Sequence, residues 1–361
     1  MADALDRQAS LDFVLALRRR WADTVYPQLR DEFDRQVPPG SERDLRETVH
    51  ALPTYPWFAW LERGSQKMLW RAVGDAVGDA AAAWAAPAAP AAAELDPDLE
   101  LPAWYTDWDI HLQPGGVWSA PAAADVYELG ARLVMLGEND DYRFHRLFTE
   151  TAVPQRAYRR IVDLGCGFGK STWPLKRRFP DAEVIGVDLA GPCIQLAARR
   201  AGEQGLAIRF RQAAADATGL EAGSVDLVAS TMLIHEVPLE VLQATFAEAA
   251  RLLAPGGLLR FLDFQRTGDA FRDLAMLEHG ARNNEPFMPP MLLADVAAMA
   301  RAAGLVDTRW VAFDERAHGR LADLAWPARR EWHFPWAVRG AAKPARTAGA
   351  CASSATDRTS W

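Results

Sequence analysis

Apolar residues at Leu11, Val14, Leu15 and Leu17 recur at helical spacing and open a polar-amphipathic stretch that runs to about residue 72. Pro38-Pro39-Gly40 interrupts it, and a second helical stretch is expected from Ser41. Residues 74–97 form an alanine-rich tract, Ala80 to Ala86, punctuated by Pro87, Pro90 and Pro97. Alanine favours helix in the first part. Proline lacks the N–H and clashes with the preceding turn, so the second part reads as a surface linker. Past an aromatic-rich stretch at 103–119, a helix is expected from Ala122 to Met135, with Gly137 as its stop.

From about Arg160 the pattern changes. Short β-branched runs alternate with helical stretches through Phe264, the order of a parallel sheet joined by crossover helices. Strands are expected at 160–164, 183–187, 206–212, 225–230 and 257–264, with helices starting near Lys170, Gly191 and Leu239. Pro255-Gly256-Gly257 marks the turn into the fifth strand. Two further strands are expected near 308–314 and 332–339, and the tail from Lys343 to Trp361, rich in Ala, Ser, Thr and Gly, reads as disordered. The chain thus divides into a mainly helical region at 1–155, an α/β domain at 156–342 and a tail at 343–361.

Half of the 361 residues are hydrophobic, enough for a sizeable core. The formal net charge is -8, and Arg18-Arg19-Arg20, the nearest thing to a basic patch, reads as a solvated helix face. A nucleic-acid partner needs clustered Lys and Arg to neutralise phosphates, so none is expected. The three cysteines, Cys166, Cys193 and Cys351, make no disulfide framework. Neither they nor the seven histidines show metal-ligand spacing, so no metal site is expected. Met1 to Ser10 is polar and acidic rather than a secretory signal. No run of about 20 apolar residues is free of charge and proline. A cytoplasmic location without a membrane partner is the expectation, and a homodimer is left open.

The chemistry concentrates in Ile161-Val162-Asp163-Leu164-Gly165-Cys166-Gly167-Phe168-Gly169-Lys170. A buried strand ends at Leu164, glycines turn the chain, and a helix begins. Glycine is needed where the backbone takes positive φ or meets a ligand without a Cβ in the way. Alone, such a turn is equally a tight strand-to-helix connection. Three acids raise its meaning: Asp163 just before the glycines, Asp188 ending the next strand in Gly186-Val187-Asp188, and Asp216-Ala217 after the third. An acid at the second strand end can accept both hydroxyls of a ribose. All three fall on one edge of the sheet, the carboxyl edge where ligands bind.

These residues resemble the motifs of class I S-adenosylmethionine-dependent methyltransferases. Asp163-Leu164-Gly165-Cys166-Gly167-Phe168-Gly169 is similar to the first motif. Asp188, Asp216-Ala217, Leu233-Ile234-His235-Glu236-Val237 and Leu252-Leu253-Ala254-Pro255-Gly256-Gly257 are similar to those that follow, in order. The likeness is to the group containing the ubiquinone and menaquinone methyltransferases. It covers about 160–264, extends less specifically to about 340 and does not reach the first 155 residues. His111-Leu112-Gln113-Pro114-Gly115-Gly116 resembles an element preceding the core in some bacterial natural-product methyltransferases.

The resemblance implies a Rossmann-like seven-stranded α/β sheet, mostly parallel, with helices on both faces, and S-adenosyl-L-methionine as cofactor. It implies that Gly165, Cys166, Gly167 and Gly169 let the backbone approach the methionine part and that Asp163 orients its ammonium group. Asp188, with Leu189 beside it, would hold the ribose; Asp216 and the Ala217 N–H would read the adenine; Thr231 and Met232 would border the sulfonium. Methyl transfer is an in-line displacement from an activated donor, so the protein mainly aligns the partners and excludes water. A base is needed only if the acceptor must lose a proton. His235, just past the fourth strand, suits that task, with Glu236 and His111 behind it; each reads equally as a pocket-lining residue.

The aromatic run Trp104, Tyr105, Trp108 and Trp118 reads as a lid over a small apolar acceptor or as plain core, and Asn283 to Phe287 is a candidate acceptor-contacting connection. Tyr142 and His145 cannot be told from ordinary core or surface residues. The first 155 residues, holding eight of the fourteen tryptophans, are expected to pack over the carboxyl edge and supply part of the acceptor pocket. A chain starting near residue 155 would then bind cofactor without transferring methyl. Competing functions are a methyltransferase-fold binding module without turnover and a nicotinamide oxidoreductase. The latter needs Gly-x-Gly-x-x-Gly where this chain has Gly-x-Gly-x-Gly.

Overall fold

The computed structural model describes residues 2–37, 44–78, 91–139 and 141–345. The centre of the alanine-proline tract and nearly all of the tail lie outside the described residues. Among the described residues, nine strands form one sheet: β1 (Ala92–Glu94), β2 (Arg160–Leu164), β3 (Glu183–Asp188), β4 (Ile208–Gln212), β5 (Val225–Thr231), β6 (Leu253–Phe264), β7 (Val306–Asp314), β8 (Gly319–Arg320) and β9 (Trp336–Ala342). Their order is β1-β4-β3-β2-β5-β6-β9-β7-β8. The pairs from β1 to β6 are parallel, whereas β9 runs antiparallel to both β6 and β7. Ile161, Val162 and Leu164 of β2 are fully buried, as a central parallel strand covered on both faces requires.

The expected seven-stranded sheet is present as β4-β3-β2-β5-β6-β9-β7, and two short strands extend it at its edges. The addition of β1 is a correction twice over. It belongs to the first 155 residues, which were expected not to continue the sheet, and it lies in the tract read as linker. Ala-Ala-Glu has no β-branched or aromatic residue to signal a strand. It forms because β4 would otherwise expose an unpaired edge. Ala92 pairs with Arg209 in register, and the Glu94 carboxylate lies 3.4 Å from the Arg209 guanidinium and 3.3 Å from that of Arg211.

The N-terminal helices are α1 (Ala2–Arg20), α2 (Tyr26–Gln36), α3 (Leu45–His50), α4 (Tyr55–Val77), α5 (Ala103–Thr106), α6 (Ala122–Val134) and α7 (Arg143–Ala152). Asp44 caps α3 by accepting the N–H groups of Arg46 and Glu47 at 2.8 and 3.2 Å. The sheet is covered by α8 (Thr172–Arg178), α9 (Gly191–Glu203) and α10 (Leu239–Leu252), and α11 (Ala270–Arg282), α12 (Met288–Leu293) and α13 (Val296–Ala302) precede β7.

The N-terminal helices share one core with the sheet domain. Trp21 stacks on Phe58 at 5.1 Å and meets Trp332 at 5.4 Å; Tyr26 packs on Phe271 at 5.7 Å. These rings belong to the same buried cluster as Val162 and Leu164. Each buried ring removes on the order of 150–250 Å² from water, several kcal/mol at about 25 cal/mol per Å². Of Arg18-Arg19-Arg20, read as a solvated face, Arg19 and Arg20 are exposed and Arg18 is not. Arg18 is buried and donates to Gln66 Oε1 at 2.6 Å, and Arg19 donates to the Leu136 carbonyl at 2.9 Å. Tyr142 and His145 are packing residues: Tyr142 sits edge-on to Trp173 at 5.4 Å, and His145 is fully buried beside Asn139. Among the described residues, no helix is long and apolar enough to cross a membrane.

Candidate active site

The glycine turn follows β2 as expected. Gly165, Gly167 and Gly169 have φ of +64°, +52° and +95°. A Cβ at Gly165 would sit 2.8 Å from Leu233 Cδ1, and one at Gly169 would sit 2.7 Å from Trp173 Nε1. Both positive φ and close packing therefore require glycine there. The turn borders a cleft of about 1050 Å³, counting its open mouth, at the carboxyl edge of the sheet.

Gly165, Gly167, Asp188, Leu189, Asp216, Thr231 and Met232 all line that cleft. Asp188 accepts the Gly167 N–H and the Ala190 N–H, each at 2.8 Å. Burial pushes its pKa up to about 6. The buried Thr231 hydroxyl has no partner among the described residues. Cys166, Gly169, Asp163 and Ala217 are not on the cleft wall. Asp163 lies beneath the turn, where Oδ2 accepts the Ser171 and Thr172 hydroxyls at 2.6 Å each, and burial raises its pKa to about 6. Its Oδ1 has no partner among the described residues. The Ala217 N–H donates to the Ala214 carbonyl at 3.1 Å.

Trp104, Tyr105, Trp108 and Trp118 of the aromatic run all line the cleft. Tyr127 of α6 and Lys170 are wall residues that the sequence did not single out. Lys170 Nζ donates to the Tyr127 hydroxyl at 2.9 Å, and burial lowers its pKa to about 8. A lysine directly after the last glycine, where the backbone enters the site, was the available signal; Tyr127 offered none.

A second space of about 690 Å³, counting its open part, lies between the sheet and the N-terminal helices. His111, Tyr127, Lys170, Met232 and Glu236 border both spaces. Trp70, Phe264, Phe334 and Trp336 make much of the inner chamber apolar, and His235, Asn283 and Glu285 add polar groups. Of the Asn283–Phe287 connection, Asn283 and Glu285 line this chamber. Asn284 instead donates to the Asp109 carbonyl, and Phe287 packs edge-on to Trp104.

The three candidate catalytic residues come together at this junction. His111 places Nε2 3.0 Å from Glu236 Oε1 and Nδ1 3.0 Å from Glu285 Oε1. Burial opposes its charge, but the flanking carboxylates of Glu285 and Glu236 prevail and raise its pKa to about 10. His235 is buried, with Nδ1 2.7 Å from Asp263 Oδ1 and Nε2 3.7 Å from Glu236 Oε1. Burial pushes its pKa down, Asp263 pushes it up, and the net shift is upward. Helix α4 positions His111, since Gln66 Nε2 and Trp70 Nε1 donate to its carbonyl at 3.0 and 2.5 Å.

Seven core strands in the order β4-β3-β2-β5-β6-β9-β7, with β9 reversed and a glycine turn after the first central strand, define a class I methyltransferase fold. Residues 161–257 match the family described as a methyltransferase domain. The chain is 37% identical over 138 residues to a demethylmenaquinone methyltransferase of Thermus thermophilus, which covers 38% of this chain and 60% of that protein. It is 31% identical over 160 residues to a ubiquinone biosynthesis O-methyltransferase of Ralstonia nicotianae, covering 41% and 63%. A Haemonchus contortus phosphoethanolamine N-methyltransferase solved with S-adenosylhomocysteine is 15% identical, with a TM-score of 0.41 over 59% of this chain and 58% of that one. The chain thus spans about three fifths of the length of the curated relatives it matches. The likeness to a methyltransferase domain lies in residues 161–257.

Proposed function

We propose that the protein transfers the methyl group of S-adenosylmethionine to an oxygen or carbon atom of a small molecule held in the inner chamber. The observation that carries this reading is the junction of two spaces at Met232 and Glu236, one faced by the glycine turn and Asp188, the other by apolar rings. The backbone at Gly165 and Gly167 and the side chains of Asp188, Leu189, Asp216 and Thr231 would hold the cofactor. The unpartnered Thr231 hydroxyl fits that assignment. Bound there, S-adenosylmethionine supplies a methyl group already activated on a sulfonium.

The chain's own contribution is alignment and dryness. Trp104, Trp108 and Trp118 shield the cleft from water, and the inner rings orient a flat apolar acceptor. With Nδ1 engaged by Asp263, His235 presents Nε2 toward Glu236 and would take the hydrogen bond of an acceptor hydroxyl. The relatives named for menaquinone and ubiquinone synthesis agree in chemistry with an aromatic acceptor. Calorimetry is expected to show binding of S-adenosylmethionine and S-adenosylhomocysteine but not NAD; the reverse pattern would overturn the reading. With methyl-labelled cofactor, phenols and quinones are expected to be labelled from a panel that also holds polyketides and amines. Labelling of amines alone would exclude an oxygen or carbon acceptor. Cofactor binding with no methyl release to any acceptor would favour a binding module.

A further inference from the structure

The polar cluster at the junction of the two spaces has the donor atoms of a metal site. His111 Nε2, His235 Nε2 and one Glu236 carboxylate oxygen all lie within 4.8 Å of one another. The two nitrogen-to-oxygen separations are 3.0 and 3.7 Å. Ligands about 2.0–2.2 Å from a shared ion stand roughly 3.0–3.6 Å apart, so both nitrogen-to-oxygen separations are already near that range.

The outer contacts are independent evidence. A ligating histidine characteristically has its other nitrogen held by a carboxylate, which fixes the ring and leaves the ligating nitrogen its lone pair. Here both histidines have that arrangement: His111 Nδ1 on Glu285 and His235 Nδ1 on Asp263. Asp263 is itself fixed by the N–H groups of Ile234 and Phe264 at 3.0 and 2.7 Å. Glu285 is buried, and its Oε2 has no partner among the described residues. Three carboxylates, Glu236, Glu285 and Asp263, therefore surround the two imidazoles, and His279 Nε2 lies 3.7 Å from Glu285 Oε1 on the far side. His111 itself has a left-handed backbone, with φ of 57°.

We propose that His111, His235 and Glu236 bind a divalent transition-metal ion of the zinc, manganese or iron class, with open coordination positions facing an oxygen-bearing acceptor. Two imidazoles and one carboxylate favour such an ion over magnesium, which prefers oxygen ligands. Local spacing predicted no metal site because 125 positions separate His111 from Glu236. The role at the acceptor rests on the methyl-transfer reading, the binding of the ion does not, and with the ion bound its open position replaces His235 Nε2 as the partner of an acceptor oxygen.

The test uses the untagged full-length protein, stripped with chelator and titrated with Zn²⁺, Mn²⁺, Fe²⁺ and Mg²⁺ by calorimetry, with Co²⁺ as an absorption probe. One equivalent of a transition ion per chain, a Co²⁺ spectrum with nitrogen ligands and no Mg²⁺ binding are expected. His111→Ala and His235→Ala are expected to weaken binding at least about a hundredfold, and Asp263→Asn about ten- to a hundredfold. The surface His50→Ala variant should bind as the parent does. Absence of stoichiometric binding by the parent protein overturns the proposal, whatever the variants' folding. So does unchanged affinity in folded His111→Ala and His235→Ala. Cofactor binding without ion binding removes the metal site and leaves methyl transfer; ion binding without cofactor binding does the opposite.

Discussion

At the scale of single residues, Asp188 is the most consequential group in the cleft. It already accepts two backbone N–H groups, and an ionised carboxylate has acceptor capacity left for ribose hydroxyls. Hydrogen bonds to a charged group contribute about 1.5–3 kcal/mol each. Asp188→Ala is therefore expected to weaken S-adenosylmethionine binding by about ten- to a hundredfold or more, read by calorimetry on a variant shown to be folded by circular dichroism. Burial raises its pKa to about 6, so the carboxylate gains a proton below that pH and becomes a weaker acceptor. Cofactor affinity should be level above about pH 7 and fall as pH drops through 6. A flat profile from pH 5 to 8 would show that Asp188 does not meet the cofactor as a carboxylate. Asp188 and the glycines were legible in the sequence because strand, turn and acid follow one another closely. Tyr127 and Glu285 were not, because neighbours in the chain say nothing of what they face.

Between elements, the clamp of α4 onto α11 joins the N-terminal helices to the sheet domain. Glu62 accepts from His279 Nδ1 at 2.5 Å and from Arg282 Nε, with all three side chains nearly buried. Burial would raise the Glu62 pKa, but Arg282 and His279 overcome it and bring it to about 2. Removing one member of a buried pair strands the other charge. Glu62→Gln is expected to destabilise the fold by about 3–5 kcal/mol, measured by urea unfolding. The folded value lies below the unfolded one of about 4.3, so this stabilisation is complete above about pH 4.3 and is lost as pH falls toward 2. In the variant, that part of the acid dependence should vanish. Helix and strand periods were legible wherever an element has one solvated or one buried face. Strand β1 was not, because three residues acquire their strand character from the edge of β4.

For the whole molecule, the sequence pattern alone divides the chain near residue 155 and predicts that the second part binds cofactor by itself. The structure changes that expectation. Trp21, Tyr26 and Phe58 share a core with Phe271 and Trp332, and β1 closes the sheet edge. Losing them exposes rings each worth several kcal/mol, against a typical net stability of about 5–15 kcal/mol. A chain beginning at residue 156 is expected to lose cooperative thermal unfolding and to bind a dye for exposed apolar surface. A sharp transition with cofactor binding retained would restore the independent-domain picture. Trp108→Ala, on the half-exposed aromatic run, is the milder probe and should leave the melting transition nearly unchanged.

The sequence by itself determined the sheet domain, its glycine turn and the acids at its strand ends. These depend on local conformation: hydrophobic period, positive φ, and the alternation of strand and helix. The tertiary structure alone decided what stands across from that turn. It brought His111 from the N-terminal region to Glu236 and to Glu285, 125 and 174 positions away, and set Arg18 against Gln66 beside the inner chamber. Contacts at such separations depend on how whole helices pack, and the spacing of residues along the chain carries no record of that packing.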